Sequence, residues 1–286
     1  MATVFYDKAA VEVKHNGVSE QLLASNCSLT FSNSQQPFYA IGSKGAIGQF
    51  PSAARAGNLS FGFLTTVTGT HFDQNGNIIN SLASGIKNAA SNGSEVSGVE
   101  IKFAGVSGNG YLTSYSLGVA SNSISSSSAS FTFYGSGSQL PVTGRLDSLD
   151  GQTLNTVSLA TGIAHGRFTN LNNLATSISN PTETATIFGA EYSLSLSYNP
   201  IYKIGQEFPT TSLYTNAQES VNITEDIFNS GLAFDETAND LTMTLSGLGG
   251  NHGMEIGISG AKQVSTSMSA GLDDIVRTQK TLTAAY

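Results

Sequence analysis

The sequence predicts a mainly β protein of two tandem units, each with one flanking α-helix. Three observations carry that expectation. Apolar and polar residues alternate over many short runs, Gly, Asn and Ser punctuate those runs, and one proline-containing hexapeptide has a near-copy in matching surroundings. Period-two alternation marks a strand with one buried face, and Gly or Asn supplies the conformations that reverse the chain. Hydrophobic residues make up 39% of the 286, enough for a core, which argues against a wholly disordered chain.

The repeated segment is PFYAIG at Pro37 to Gly42 and PIYKIG at Pro200 to Gly205. Each copy follows an alternating strand, Cys27 to Ser32 and Tyr192 to Ser197, and each precedes a Phe-Pro pair, Phe50-Pro51 and Phe208-Pro209. Four of the chain's six prolines fall into these matched places. Such collinearity predicts a tandem duplication, with a first unit at residues 1–135, a Gly/Ser/Thr-rich connector at 136–186 and a second unit at 187–286. On this alignment the first loop is five residues longer between its glycine and its Phe-Pro pair.

Element by element, the first unit reads as a strand from Cys27 to Ser32, a long loop from Asn33 to Ala56, and a strand through Leu59, Phe61 and Phe63. A helix follows, on which Ile78, Ile79, Leu82, Ala83 and Ile86 recur at three- and four-residue spacing. Asn75 or Asn77 is placed to cap its start and Gly93 to end it. Alternating runs at Val99–Phe103, Tyr111–Val119 and Ala129–Phe133 complete the unit. The second unit repeats the order: Tyr192 to Tyr198, a loop over 199–220, Val221 and Ile223, a weaker helical patch from Glu225 to Phe234, Leu241 to Leu245, Val264 to Ala270, and Val276 to Ala284. The connector carries a further extended stretch around Leu154 to Ile163.

Composition limits the chemistry. The single cysteine, Cys27, excludes an intrachain disulfide and a multi-cysteine metal site, and its place on the apolar side of a strand predicts a buried structural thiol. A formal charge of −8 opposes any sequence-independent grip on nucleic acid. The start, MATVFYDKAAVEVK, has no basic end leading into an apolar run, and nowhere do about 18 apolar residues stand together, so neither a secretory signal nor membrane insertion is expected.

No catalytic, cofactor-binding or metal-binding constellation is expected. His15, His71, His165 and His252 are scattered without ligand spacing. GVSGNG at Gly105 to Gly110 leads into a strand, and GLGGNHG at Gly247 to Gly253 lacks the Lys-Ser/Thr of a phosphate loop. Asp73, Asn75 and Asn77 suggest a calcium loop, but its glycine is misplaced and Ser84 stands where the closing glutamate belongs, so helix capping accounts for them better. The acidic pairs Asp147/Asp150 and Asp273/Asp274 fall in predicted turns, and no GxSxG elbow is present. The chain is therefore not expected to be an enzyme.

The P-x-Y-x-I-G segment after an alternating strand, the long loop, the single helix and the late hairpin YLTSYSLGVASNSISSSSASFTFYG resemble tail tube proteins of long-tailed bacteriophages, by pattern across nearly the whole chain. That resemblance implies small β-sandwich or barrel units that join edge to edge into homo-oligomeric rings, trimers when each chain holds two units and hexamers when it holds one. Rings stack into a tube within the virion tail, assembled in the host cytoplasm beside other tail proteins, and phage DNA passes through it without specific binding. Candidate intersubunit contacts are Pro37, Phe38, Tyr39, Ile41, Phe50 and Pro51, with Pro200, Ile201, Tyr202, Ile204, Phe208, Pro209 and Tyr214. Alternatives from other classes are a tail hub or neck component, a capsid decoration protein, and a receptor-binding β-sandwich.

Overall fold

The computed structural model describes residues 10–52, 55–65, 77–103, 106–120, 123–135, 143–144, 187–205, 209, 211–226, 239–246, 253–270 and 276–286. The first half holds β1 (Val11–His15), β2 (Val18–Leu22), β3 (Ala24–Ser32), β4 (Gln35–Phe38), β5 (Gly48–Pro51), β6 (Arg55–Leu64) and α1 (Ile78–Asn92). It continues with β7 (Glu95–Ser97), β8 (Val99–Phe103), β9 (Val106–Ala120), β10 (Ser126–Gly135) and β11 (Thr143–Gly144). The second half holds β12 (Ile187–Ile201), β13 (Thr211–Asp226), β14 (Asn239–Ser246), β15 (Gly253–Ser269) and β16 (Arg277–Ala285). The fold is mainly β, as the alternation predicts.

The main sheet runs β14-β15-β16-β13-β12-β9-β10-β6-β3, all antiparallel along this path. Within it the two halves use the same pairing order. In the first, β3 pairs β6, β6 pairs β10, β10 pairs β9 and β9 pairs β8; in the second, β12 pairs β13, β13 pairs β16, β16 pairs β15 and β15 pairs β14. The inward row Leu29–Leu59–Phe131–Leu112 has its counterpart in Tyr192–Val221–Leu282–Gln263. Register shifts also correspond. One lies between Ser130 and Phe131 opposite β9 and between Gln263 and Ser265 on β15; the other lies between Ala24 and Asn26 on β3 and between Ile187 and Gly189 on β12. A bulge moves every later side chain along its strand, so two bulges at matching rows fix matching registers.

The helix forms where its periodicity places it. The Asn77 side chain accepts from the backbone N–H of Asn80 at 3.0 Å, and Gly93, at φ 64°, lets its own N–H and that of Ser94 return to carbonyls of the last turn. Ile78, Ile79, Leu82, Ala83 and Ile86 are buried in one continuous core that also holds Phe61, Phe131, Tyr115, Tyr192, Val221 and Leu282. Residues from both halves thus share a single apolar cluster.

Several expectations are corrected. The span from Asn33 to Ala56 is no plain loop, because β4 and β5 make a separate two-stranded arm turned through Gly42 at φ 93°. In the second half the loop predicted over 199–220 gives way to strand at both ends, since β12 continues to Ile201 and residues from Thr211 onward pair with it. Gln36 pairs Phe50 where Asn199 pairs Leu213, so Leu213, and not Phe208, is the counterpart of Phe50, and the two arms are equal in length. Glu225 and Asp226, expected to begin a helical patch, instead close β13 on β16; the rest of that patch and the stretch at Leu154 to Ile163 lie outside the described residues. An unexpected hairpin, β1–β2, turns on Asn16 and Gly17, both at positive φ, as an Asn-Gly two-residue turn does.

Lys87 of α1 reaches across to the second half. Its Nζ lies 2.7 Å from Glu219 Oε1, a carboxylate with no exposure, which also accepts the Tyr192 hydroxyl. Replacing Lys87 with Met leaves that carboxylate buried without its cation and is expected to cost about 3 kcal/mol in urea unfolding. Lys102→Met, which loses only partly exposed partners at Glu12 and Glu100, should cost less than about 1 kcal/mol.

Candidate assembly surfaces

The two halves meet along a strand-to-strand seam. β9 and β12 pair with Tyr115 opposite Leu194, Ser116 opposite Ser193 and Leu117 opposite Tyr192. Alternate side chains point inward, and these are sealed: Tyr115, Tyr192 and Leu194 are each 1% exposed and Leu117 is fully buried. Tyrosines continue the seam at its lower end. Tyr198 stacks on Tyr111 at 5.9 Å between ring centroids, its hydroxyl lies 2.9 Å from that of Tyr134, and the Tyr214 hydroxyl donates to the Leu112 carbonyl at 3.0 Å. β7 adds a second bond between the halves by pairing Glu95–Ser97 with Leu213–Thr211 of β13.

Burial pushes the Tyr115 hydroxyl up to about 12. Burial also raises Tyr134 and Tyr214 above the ordinary phenol range, as it does Tyr192, where the Glu219 charge adds to the effect.

On the opposite face the seam is polar and, apart from the exposed Glu191 opposite Gly118, uncharged. One row across six strands reads Ser28, Ser60, Ser130, Ser114, Ser195 and Gln218. The next carries Ser128, Ser116, Ser193 and Ser220, with hydroxyl pairs Ser116–Ser128 at 2.8 Å and Ser193–Ser220 at 2.7 Å. Serine suits this place because its small side chain can bond across the ladder without exposing an apolar group.

Two open edges, on β3 at one end of this path and on β15 beyond its pairing with β14, differ from the seam. β3 pairs β6 on one side, and among the described residues its other side has no partner strand; residues 262–269 of β15 likewise pair only β16. Phe31 on β3 is 37% exposed, and Val264 and Met268 on β15 are 51% and 46% exposed. Cys27, expected to be buried, is only half-buried because β3 is an edge strand; burial still pushes its thiol up to about 12, against a nucleophilic role.

The repeated hexapeptides form matching exposed corners. Ile41 and Ile204 both project fully into solvent immediately before a positive-φ glycine, Gly42 and Gly205. Phe38, Tyr39, Phe50 and Tyr202 are also exposed large side chains, and Pro37 is exposed. Pro200 and Ile201 are half-buried, whereas Pro209 and Tyr214 are buried within the chain; Pro51 ends β5, and Phe208 lies outside the described residues. The sequence thus marks the two repeated corners, but the open edges of β3 and β15 were missed, although the apolar Val264 and Met268 in the otherwise polar end of β15, residues 262–269, are a readable signal.

Among the described residues no group of three or more His, Cys, Asp or Glu could hold a metal, and no helix is long and apolar enough to cross a membrane. Compared with protein-family models and with curated proteins, the chain matches none.

Two outcomes follow. In the folded protein the phenols hold their protons above the ordinary phenol value of about 10, so their contribution is complete below that pH. It is lost as pH rises toward about 12, and the share of tyrosinate absorbance that comes from Tyr115, Tyr134, Tyr192 and Tyr214 is expected to appear together with unfolding rather than before it. Replacing both Ile41 and Ile204 with Ser should change stability by less than about 0.5 kcal/mol in thermal or urea melts, because neither side chain has packing to lose.

Proposed function

We propose that this chain is the tube subunit of a long-tailed bacteriophage tail, assembling with copies of itself into rings that stack around a channel for the genome. The observation that carries the reading is the seam. Two units of equal strand order already join edge to edge inside one chain, with a sealed apolar side and a hydroxyl-lined polar side. A tandem duplication of one unit, at 1–135 and 187–286 with a connector between, accounts for the shared order, register and bulges.

The uncharged serine rows suit a surface that a polyanion passes without holding. They offer no clustered Lys or Arg to displace counterions, and so no electrostatic grip on the backbone. The exposed apolar corners at Phe38–Ile41 and Tyr202–Ile204 suit contacts with the next ring or with other tail proteins, since large exposed apolar groups rimmed by polar ones mark interaction sites. On this reading the protein resides in the virion tail and catalyses nothing.

Negative-stain microscopy of the purified protein at high concentration is expected to reveal open-centred rings or tubes, and uniformly monomeric particles would sink the proposal. Removing residues 42–51 is expected to leave a folded protein, by circular dichroism, that no longer forms tubes. Unchanged tubes from that variant would remove the arm from the assembly.

A further inference from the structure

Resting on the reading that the chain assembles with itself, we infer that the open edge of β15 in one copy pairs antiparallel with the open edge of β3 in the next. The register sets Leu29 opposite Met268, Thr30 opposite Ser267 and Phe31 opposite Thr266. The seam inside the chain is the template. β3 is the counterpart of β12 through the matched rows Leu29–Leu59 and Tyr192–Val221, and β15 is the counterpart of β9 through the shared bulge that aligns Ser114 with Ser265. Carrying the seam pairs Leu117–Tyr192, Ser116–Ser193 and Tyr115–Leu194 across those correspondences yields the stated register.

The chemistry of the transferred pairs fits. Hydroxyl again meets hydroxyl on the polar face, at Thr30–Ser267 and at Ser32–Ser265, and apolar meets apolar beneath, at Leu29–Met268. The positions that are sealed at the seam are the ones left exposed at the ends, where Phe31 and Met268 stand half in water. A second feature points the same way. β7 covers the start of β13 inside the chain, whereas β5, which occupies the corresponding ladder position, pairs only β4 among the described residues and leaves Phe38 and Phe50 exposed. The first half therefore lacks a neighbour that the second half already has. A strand edge with unpaired backbone and apolar side chains is a template for another strand. Two different edges joined head to tail also propagate in one direction, closing into a ring when the rotation permits.

Disulfide trapping tests the register. With Cys27→Ser as background, the exposed pair Ser28→Cys and Ser269→Cys places one thiol on each edge at positions that face each other across the junction. Six strands separate β3 from β15 along the sheet of one chain, so the link forms between copies. Mild oxidation of assembled protein should give a reducible ladder of covalent oligomers. The pair Ser28→Cys and Ser267→Cys, two residues out of register, should give at least about fivefold less, because its thiols lie beyond disulfide reach. Rings visible by microscopy that yield no ladder would overturn this junction while leaving self-assembly intact, and crosslinking by Ser28→Cys alone would overturn it in favour of a symmetric β3–β3 dimer. In the unmodified protein, amides of 24–32 and 265–270 should exchange more slowly on assembly, and unchanged exchange in assembled rings would count against the pairing. Absence of any assembly would remove the functional reading and this junction together.

Discussion

The ladder between β9 and β12 is the constraint on which the rest of the molecule depends. It turns two halves into one sheet and lets Tyr115, Leu117, Tyr192 and Leu194 close a common core. It also sets the platform that α1 crosses. Because α1 belongs to the first half and Glu219 to the second, the Lys87–Glu219 contact can form only when the seam is in register. The same applies to the tyrosine group around Tyr198, whose members come from β9, β10, β12 and β13. A one-residue slip would exchange the serine rows for the apolar ones, so the alternation of the sequence and the register of the seam enforce each other.

A division of labour between the faces follows. The inner face carries aromatic and aliphatic bulk and, among the described residues, the buried ion pairs Lys87–Glu219 and Lys280–Glu225. The outer face carries hydroxyl and amide groups, which satisfy one another across strands and leave little for a partner to grip. A chain with 11% charged residues has few charges to spend on that surface, and Glu191 is an exception among the central rows.

Much of this was legible in the residues. The period-two runs located most of the long strands, the 3.6-residue stripe located α1, and Asn77 and Gly93 marked its ends because capping depends on single residues. The P-x-Y-x-I-G repeat identified two corners that share an exposed isoleucine and a left-handed glycine. Other features depend on partners distant in sequence and were not legible. Whether 35–51 is a loop or an arm is decided by a pairing of Gln36 with Phe50, and whether Thr211 begins a strand is decided by β12 and β7. The Phe-Pro repeat misled because sequence likeness aligned Phe50 with Phe208, whereas ladder position aligns it with Leu213. The Asn16-Gly17 hairpin was readable and belongs to the signals a purely strand-directed reading passes over. That β9 meets β12 could not be read from either strand alone, since both are ordinary alternating strands with two available edges.

The central claim is that the seam within the chain is repeated between chains. A cryo-electron microscopy reconstruction of the assembled particle tests it most directly. The expected result is a ring in which the sheet continues unbroken from β15 of each copy into β3 of the next, with twice as many equivalent junctions as chains. A ring whose copies touch only through the 35–51 arms, with β3 and β15 facing solvent, would contradict it.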